Sequence, residues 1–261
     1  MRLVSLCPSN TEILFALGLG PQVVAVDDWS DWPDEVIELP RVGPDLRADL
    51  GRVAALEPDL VIASLSVPGM ERNVEGLRER GLPHLVLDPH SLDDVLKDIE
   101  RVGEACGIRG RALSVVQEAR GRIERVCARA SGRPKRRLYW EWWPKPLIVA
   151  GARSWVDQMS DLVGGRNVFG GIDAPSAAIE PDEVVSRDPE LLLICWCGTL
   201  QRLQEPSRIA RRPGWDRIAG VAAGRVHCVS EALFGRPSQR LIDGLELLND
   251  LVARTCPAGV P

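Results

Sequence analysis

The chain has 261 residues, long enough for two modest lobes with a core each, and a hydrophobic content of 45% excludes a disordered protein. Its formal net charge is −5, and among its basic residues only Lys97, Lys135 and Lys145 are lysines. No dominant basic surface follows, so nucleic acid is not an expected partner. No apolar run approaches the roughly 18 residues of a membrane span, so the protein is not expected to be membrane-inserted.

Met1-Arg2-Leu3-Val4-Ser5-Leu6 leads straight into strand-like sequence. It lacks the apolar run and small-residue cleavage site of a secretory signal, so a cytoplasmic location is expected, although a trimmed leader would leave the same pattern. The seven cysteines have no framework spacing and read as free thiols.

The strand at Leu3–Leu6 is followed by Ser9-Asn10-Thr11-Glu12, a start signal of capping-box type, and a helix that closes on Gly18-Leu19-Gly20. A second copy of this pattern lies further on. The strand at Leu147–Ala150 precedes Ser154-Trp155-Val156-Asp157 and a helix closing on Gly164-Gly165. A further internal repeat relates DLGRVAALEPDLVIAS (49–64) to EPDEVVSRDPELLLIC (180–195). Each copy carries a short helix with an inward valine (Val53, Val184), a proline that ends it, and a continuous apolar run suited to a parallel strand covered on both faces.

Between the copies, Gly110–Ala130 reads as one uninterrupted helix with apolar Leu113, Val116, Ile123 and Val126. Its arginines (Arg111, Arg120, Arg122, Arg125, Arg129) are interrupted by Glu118 and Glu124 and read as a solvated face. The expected fold is therefore α/β: two lobes with mainly parallel central sheets joined by a single long backbone helix. The lobes span 1–108 and 132–261, and the helix spans 109–131.

In parallel α/β sheets, ligands collect outside the carboxyl ends of the strands. Six of the eight tryptophans (Trp29, Trp32, Trp140, Trp142, Trp143, Trp196) fall in segments just after predicted strands. Such walls suit a large planar ligand held between the lobes. The ligand-binding candidates are Ser9, Asn10, Trp29, Trp32, Ser64 and Leu65 in the first lobe. In the second they are Trp142, Trp143, Trp196, Glu231, Phe234 and Arg236. No catalytic residue, metal site or required cofactor is expected, since no nucleophile elbow, phosphate loop or dinucleotide fingerprint occurs. The alternative from another class is an enzyme with a metal near Cys195, Cys197 and His227, soft ligands that would converge if their strands are neighbours.

Four segments carry a family resemblance: Ser5-Leu6-Cys7-Pro8-Ser9-Asn10-Thr11-Glu12, Ser30-Asp31-Trp32-Pro33, Glu57-Pro58-Asp59-Leu60-Val61-Ile62-Ala63 and Gly164-Gly165-Arg166-Asn167-Val168-Phe169. They resemble the cobalamin-binding proteins of bacterial vitamin importers, of the class with a helical backbone between lobes. The resemblance implies a corrinoid ligand held without chemical turnover, as by a solute-binding or carrier protein. It places Trp29 and Trp142 against the corrin and Phe234 in a ligand-facing loop. Iron–siderophore and haem binders are related alternatives. The family's ligand-stacking tryptophan is replaced here by Ser64-Leu65. Of the two acidic residues with which the family docks to its ABC importer, Glu71 matches the first and Gly235 stands in place of the second.

Overall fold

The computed structural model describes residues 1–199 and 204–255, and the chain divides into two compact units. One comprises Met1–Pro89, Asp93–Arg120 and Pro237–Gln239; the other comprises His90–Leu92, Gly121–Arg236 and Arg240–Pro261.

The chain opens with β1 (Leu3–Ser5), α1 (Pro8–Ala16), β2 (Val23–Ala25), α2 (Leu50–Ala55), β3 (Leu60–Ser64), α3 (Glu71–Glu79), β4 (His84–Leu87) and α4 (Leu92–Ala105). The first unit's strands form one sheet in the order β2-β1-β3-β4, parallel throughout. The helix α5 (Arg109–Ala130) then runs unbroken for 22 residues. Its residues 109–120 group with the first unit and 121–130 with the second.

The second half continues through β5 (Arg136–Pro144), β6 (Leu147–Ala150), α6 (Trp155–Leu162), β7 (Gly165–Asn167), β8 (Ser176–Ile179), α7 (Pro181–Arg187) and β9 (Leu191–Ile194). It ends with α8 (Pro206–Ala210), α9 (Ala219–Ala222), β10 (Val226–Cys228), α10 (Glu231–Phe234) and α11 (Leu241–Thr255). Its sheet has the order β10-β9-β5-β6-β8, with β7 beside the start of β5.

The parallel set β7-β5-β9-β10 reproduces the order β2-β1-β3-β4 of the first unit. The repeat is visible in its hydrogen bonds. The Arg2 backbone N–H donates to Asp59 at 2.6 Å, and the Asp59 N–H returns to the Arg2 carbonyl at 2.9 Å. In the second unit, Arg137 N–H donates to Glu190 at 3.0 Å, and Glu190 N–H returns to the Arg137 carbonyl at 2.8 Å. Even the guanidinium Nε of each arginine caps the end of the repeat helix in its own unit, on Leu56 O and on Asp188 O. Val53 and Val184 are both fully buried, as the repeat requires.

Three local expectations are corrected. The residues before the repeat prolines, Glu57 (φ 47°) and Asp188 (φ 44°), adopt the left-handed conformation, so a left-handed turn ends α2 and α7 ahead of the proline. The capping box at Ser9 does not form. Proline at the first helical position starts α1 at Pro8 behind Cys7, which leaves Ser9 inside the first turn. Ser154 does stand at the N-cap of α6, but its hydroxyl makes no capping bond. Finally, Leu147–Ala150 is not the counterpart of β1. It is an antiparallel return strand between β5 and β8, and β5 itself takes the central place.

The arginine row on α5 is not wholly solvated. Arg122 donates to Glu246 at 3.1 and 2.7 Å and to Asp243 at 2.6 Å, both on α11. Among the described residues no helix is long and apolar enough to cross a membrane.

Candidate functional site

In the first unit, the carboxyl ends of the strands lead into two loops that meet. The loop after β2 carries Trp29, which is 59% exposed, and Trp32, also exposed, followed by a cis Trp32–Pro33 bond and exposed Ile37 and Leu46. The loop after β3 carries exposed Val67. Asn73 of α3 ties the first loop down, donating to Asp45 O and accepting from Ala48 N at 3.1 Å. A Cβ on Gly69 would lie 3.7 Å from Leu46. These loops thus leave several apolar side chains in solvent.

Two residues that sequence reasoning passed over hold this loop. The Asp27 carboxylate is fully buried and accepts from Trp29 N at 2.8 Å and from the Ser30 hydroxyl. Ser30 continues a buried hydroxyl chain through Thr11 (2.7 Å) to Ser5 (2.8 Å). Burial pushes the Asp27 carboxyl up to about 6, against the lowering effect of its hydrogen bonds. Arg41 clamps the same loop from outside, donating to Asp27 O at 2.8 Å, Ser30 O at 2.7 Å and Val36 O at 3.2 Å. Asp27-x-x-Ser30 was a legible turn signal; nothing near Arg41 announced its role.

The other candidates of this unit make contacts within it. Ser9 and Asn10 are buried, and Asn10 Nδ2 donates to Ile62 O of β3 at 3.0 Å. Ser64 is buried and bonded to Ser66. Leu65 packs half-buried against the core. Glu71 is exposed at the start of α3, where its carboxylate accepts from Gly69 N at 2.7 Å.

In the second unit, an aromatic cluster fills the far end of β5. Trp142 stacks on Trp140 (centroids 6.4 Å apart, 30°) and leans on Trp155, and Phe234 lies 5.3 Å from Trp140. The Trp155 indole N–H donates to Phe234 O at 2.6 Å. Trp140 and Phe234 are fully buried, so they support the cluster from within. Trp142 is half-buried. Trp143 is 38% exposed and drawn away, its indole donating to Lys145 O at 3.1 Å.

Beside this cluster the Glu141 carboxylate is fully buried. It accepts two bonds from Arg212 (2.6 and 2.7 Å), one from the Tyr139 hydroxyl (2.7 Å) and one from the Trp196 indole (2.9 Å). Burial, and then the Glu141 charge, hold the Tyr139 hydroxyl well above its usual range. Arg212 also lies over Trp215, 4.6 Å from the ring centroid. Glu231 and Arg236 come together 3.9 Å apart, and Glu231 accepts from Gly198 N at 2.7 Å. At Gly235 a Cβ would meet Glu231 Cγ at 2.8 Å and Cys197 Sγ at 3.2 Å, so any side chain there would require Glu231 to shift.

The metal alternative does not find its site. Among the described residues no three His, Cys, Asp or Glu side chains gather as a metal centre. His227 pairs with Leu193 inside the sheet, and burial lowers its pKa. Six cysteines are in no disulfide, and Cys256 lies outside the described residues.

A family described as periplasmic binding protein matches residues 3–231. The vitamin B12-binding protein of Vibrio parahaemolyticus is 30% identical over 191 residues, covering 73% of this chain and 69% of that protein. An ABC transporter substrate-binding lipoprotein of Bacillus subtilis is 30% identical over 264 residues, covering 96% of this chain and 79% of that protein. The structure of the periplasmic haem-binding protein RhuT of Roseiflexus superposes with a TM-score of 0.84 at 25% identity, covering 97% of this chain and 98% of that one. These relatives overturn the cytoplasmic expectation. The haem-binding protein is periplasmic and the Bacillus protein is a lipoprotein, and they point to a site of action outside the cytoplasm.

Proposed function

Because the chain belongs to the periplasmic binding protein family, we propose that it captures a corrinoid, without chemical turnover, for delivery to an ABC importer. The observation that carries the reading is the pair of indoles left in solvent at the carboxyl ends of strands, Trp29 in the first unit and Trp143 in the second. A large planar ring system is the ligand chemistry that such faces stabilise best. The kinship to a vitamin B12-binding protein supports the corrinoid over other ring ligands. The candidate contacts in the first unit are Trp29, Trp32 and the neighbouring Leu46 and Val67, and those in the second are Trp142, Trp143 and the Glu231–Arg236 pair. Glu71 is the acidic docking candidate toward the importer, and Gly235 leaves the second unit without its counterpart.

Calorimetric titration with cyanocobalamin should give one-to-one binding at micromolar affinity or tighter. Trp29→Ala, an exposed position that the fold does not need, should weaken it. Losing a well-packed interface indole costs about 2 kcal/mol or more, which is roughly 30-fold in affinity. Unchanged affinity in Trp29→Ala would remove the first unit's loop from the site.

A further inference from the structure

The buried hydroxyl chain behind the Trp29 loop has more contacts than protons. Asp27 Oδ2 and the Ser30 hydroxyl lie 2.5 Å apart, Ser30 and Thr11 2.7 Å, Thr11 and Ser5 2.8 Å, and Ser5 and the Cys7 carbonyl 3.1 Å. These are four oxygen–oxygen contacts of hydrogen-bond length, and the three hydroxyl groups hold three protons between them. Thr11 donates to Ser5 and Ser5 to Cys7 O. Ser30 is therefore left with one proton and two acceptors, Thr11 and the Asp27 carboxylate. A proton on the carboxyl resolves this. Among the described residues no cation pairs with that carboxyl, because the Arg41 guanidinium turns to the carbonyl oxygens of Asp27, Ser30 and Val36. Asp45, acting on Asp27 from the adjoining loop, is another acid. Cys7 faces Asp27 from the turn before α1, and burial holds its thiol up to about 12, so it stays neutral.

We propose that Asp27 is the positioning residue of Trp29 and acts as a neutral acid, donating its Oδ2 proton to Ser30 and tying ligand affinity to pH. The affinity half of this rests on the reading of Trp29 as a ligand contact. In the neutral form Oδ1 still accepts from Trp29 N at 2.8 Å. The donors then run one way, from Asp27 through Ser30, Thr11 and Ser5 to Cys7 O, and every contact holds a proton. Ionisation removes the first of them. Ser30, Thr11 and Ser5 must all reverse to serve the carboxylate, and the bond from Ser5 to Cys7 O is lost. A buried charge without a cation is left beside the Trp29 backbone. A ligand lying on Trp29 withdraws further water from this loop, which disfavours the charged form again. The ligand therefore prefers the neutral form. Its affinity is full below the Asp27 midpoint and falls as pH rises through it.

The first measurement needs no ligand. The Asp27 carboxyl carbon of the isotope-labelled full chain is followed by NMR from about pH 4 to about pH 8, and assigned by its loss in Asp27→Asn. The expected midpoint is about 6 in the unaltered chain. In Thr11→Val the chain is cut, Ser30 donates to the carboxylate with nothing to reverse, and the midpoint should fall by about one pH unit, the size of one hydrogen bond gained by the charged form. If burial alone governs Asp27, loss of that hydroxyl leaves the midpoint in place or raises it, and either result would overturn the proposal. The second measurement titrates cyanocobalamin at about pH 5 and about pH 8. Affinity should be roughly fivefold or more weaker at the higher pH in the unaltered chain. It should be independent of pH in Asp27→Asn, whose amide donates to Ser30 and accepts from Trp29 N as the neutral acid does. The same pH profile in both chains would remove the positioning role. Absence of cyanocobalamin binding at both pH values counts against the corrinoid reading alone, and the carboxyl titration still decides for or against the Asp27 proton.

Discussion

Arg212→Ala should destabilise the protein by about 3–5 kcal/mol, the cost of leaving one partner of a buried ion pair without the other. Glu141 has no exposed surface, and Arg212 supplies two of the four hydrogen bonds its carboxylate accepts. With the guanidinium gone, the Tyr139 hydroxyl and the Trp196 indole remain, and neither neutralises a charge. The cation over Trp215 is lost as well. Urea unfolding would show the effect as a large drop in the midpoint. Combining Arg212→Met with Glu141→Gln should recover most of the loss, because glutamine carries no stranded charge, its Oε1 still accepts from the Trp196 indole, and its amide N–H can donate to the Tyr139 hydroxyl. A drop of less than about 1 kcal/mol in Arg212→Ala, the range of an exposed pair, would contradict the network as described.

The second large effect concerns pH. The Asp27 carboxyl titrates near 6 in the folded protein against an ordinary value of 3.8, chiefly because it is buried. A raised carboxyl means that the folded state holds its proton more tightly than the unfolded chain does. Its contribution is therefore fully present below about pH 4 and is lost as pH rises through 6. At about 1.36 kcal/mol per pH unit, the loss reaches roughly 3 kcal/mol by neutral pH. Other carboxylates have the opposite sign: arginine contacts hold Glu190 and Glu246 below their usual range. The clean observable is thus the stability difference between Asp27→Asn and the unaltered chain. That difference should move in favour of the variant by about 3 kcal/mol between pH 4 and pH 7. A flat difference across that range would show that Asp27 is not a buried carboxylate.

What could be read from the sequence was what rests on repetition and apolar continuity. Glu57-Pro58-Asp59-Leu60 and Asp188-Pro189-Glu190-Leu191 announced two equivalent helix-to-strand joints, and the uninterrupted pattern after Gly110 announced α5. Strand direction was not legible. The apolar run Leu147–Ala150 looks alike in a parallel or an antiparallel ladder, and only its pairing with β5 and β8 decides. Of the tryptophans at strand exits, Trp29, Trp32 and Trp143 reach solvent. Trp140 does not, and its neighbours in space, Phe234 and Ser160, are distant in sequence. The same distance hid Arg212, which lies 71 positions from Glu141, and Arg41, whose partners are carbonyl oxygens that any residue could supply.

The most direct measurement of the central claim is a competition among ring and chelate ligands on the unaltered chain. Cyanocobalamin, haemin and a ferric hydroxamate would each be titrated by calorimetry at one salt concentration and pH, with the visible spectrum recorded after desalting. The account predicts that cyanocobalamin binds tightest, at one per chain, and that its corrin bands survive desalting. Tighter retention of haemin or the hydroxamate, with no heat from cyanocobalamin, would contradict it.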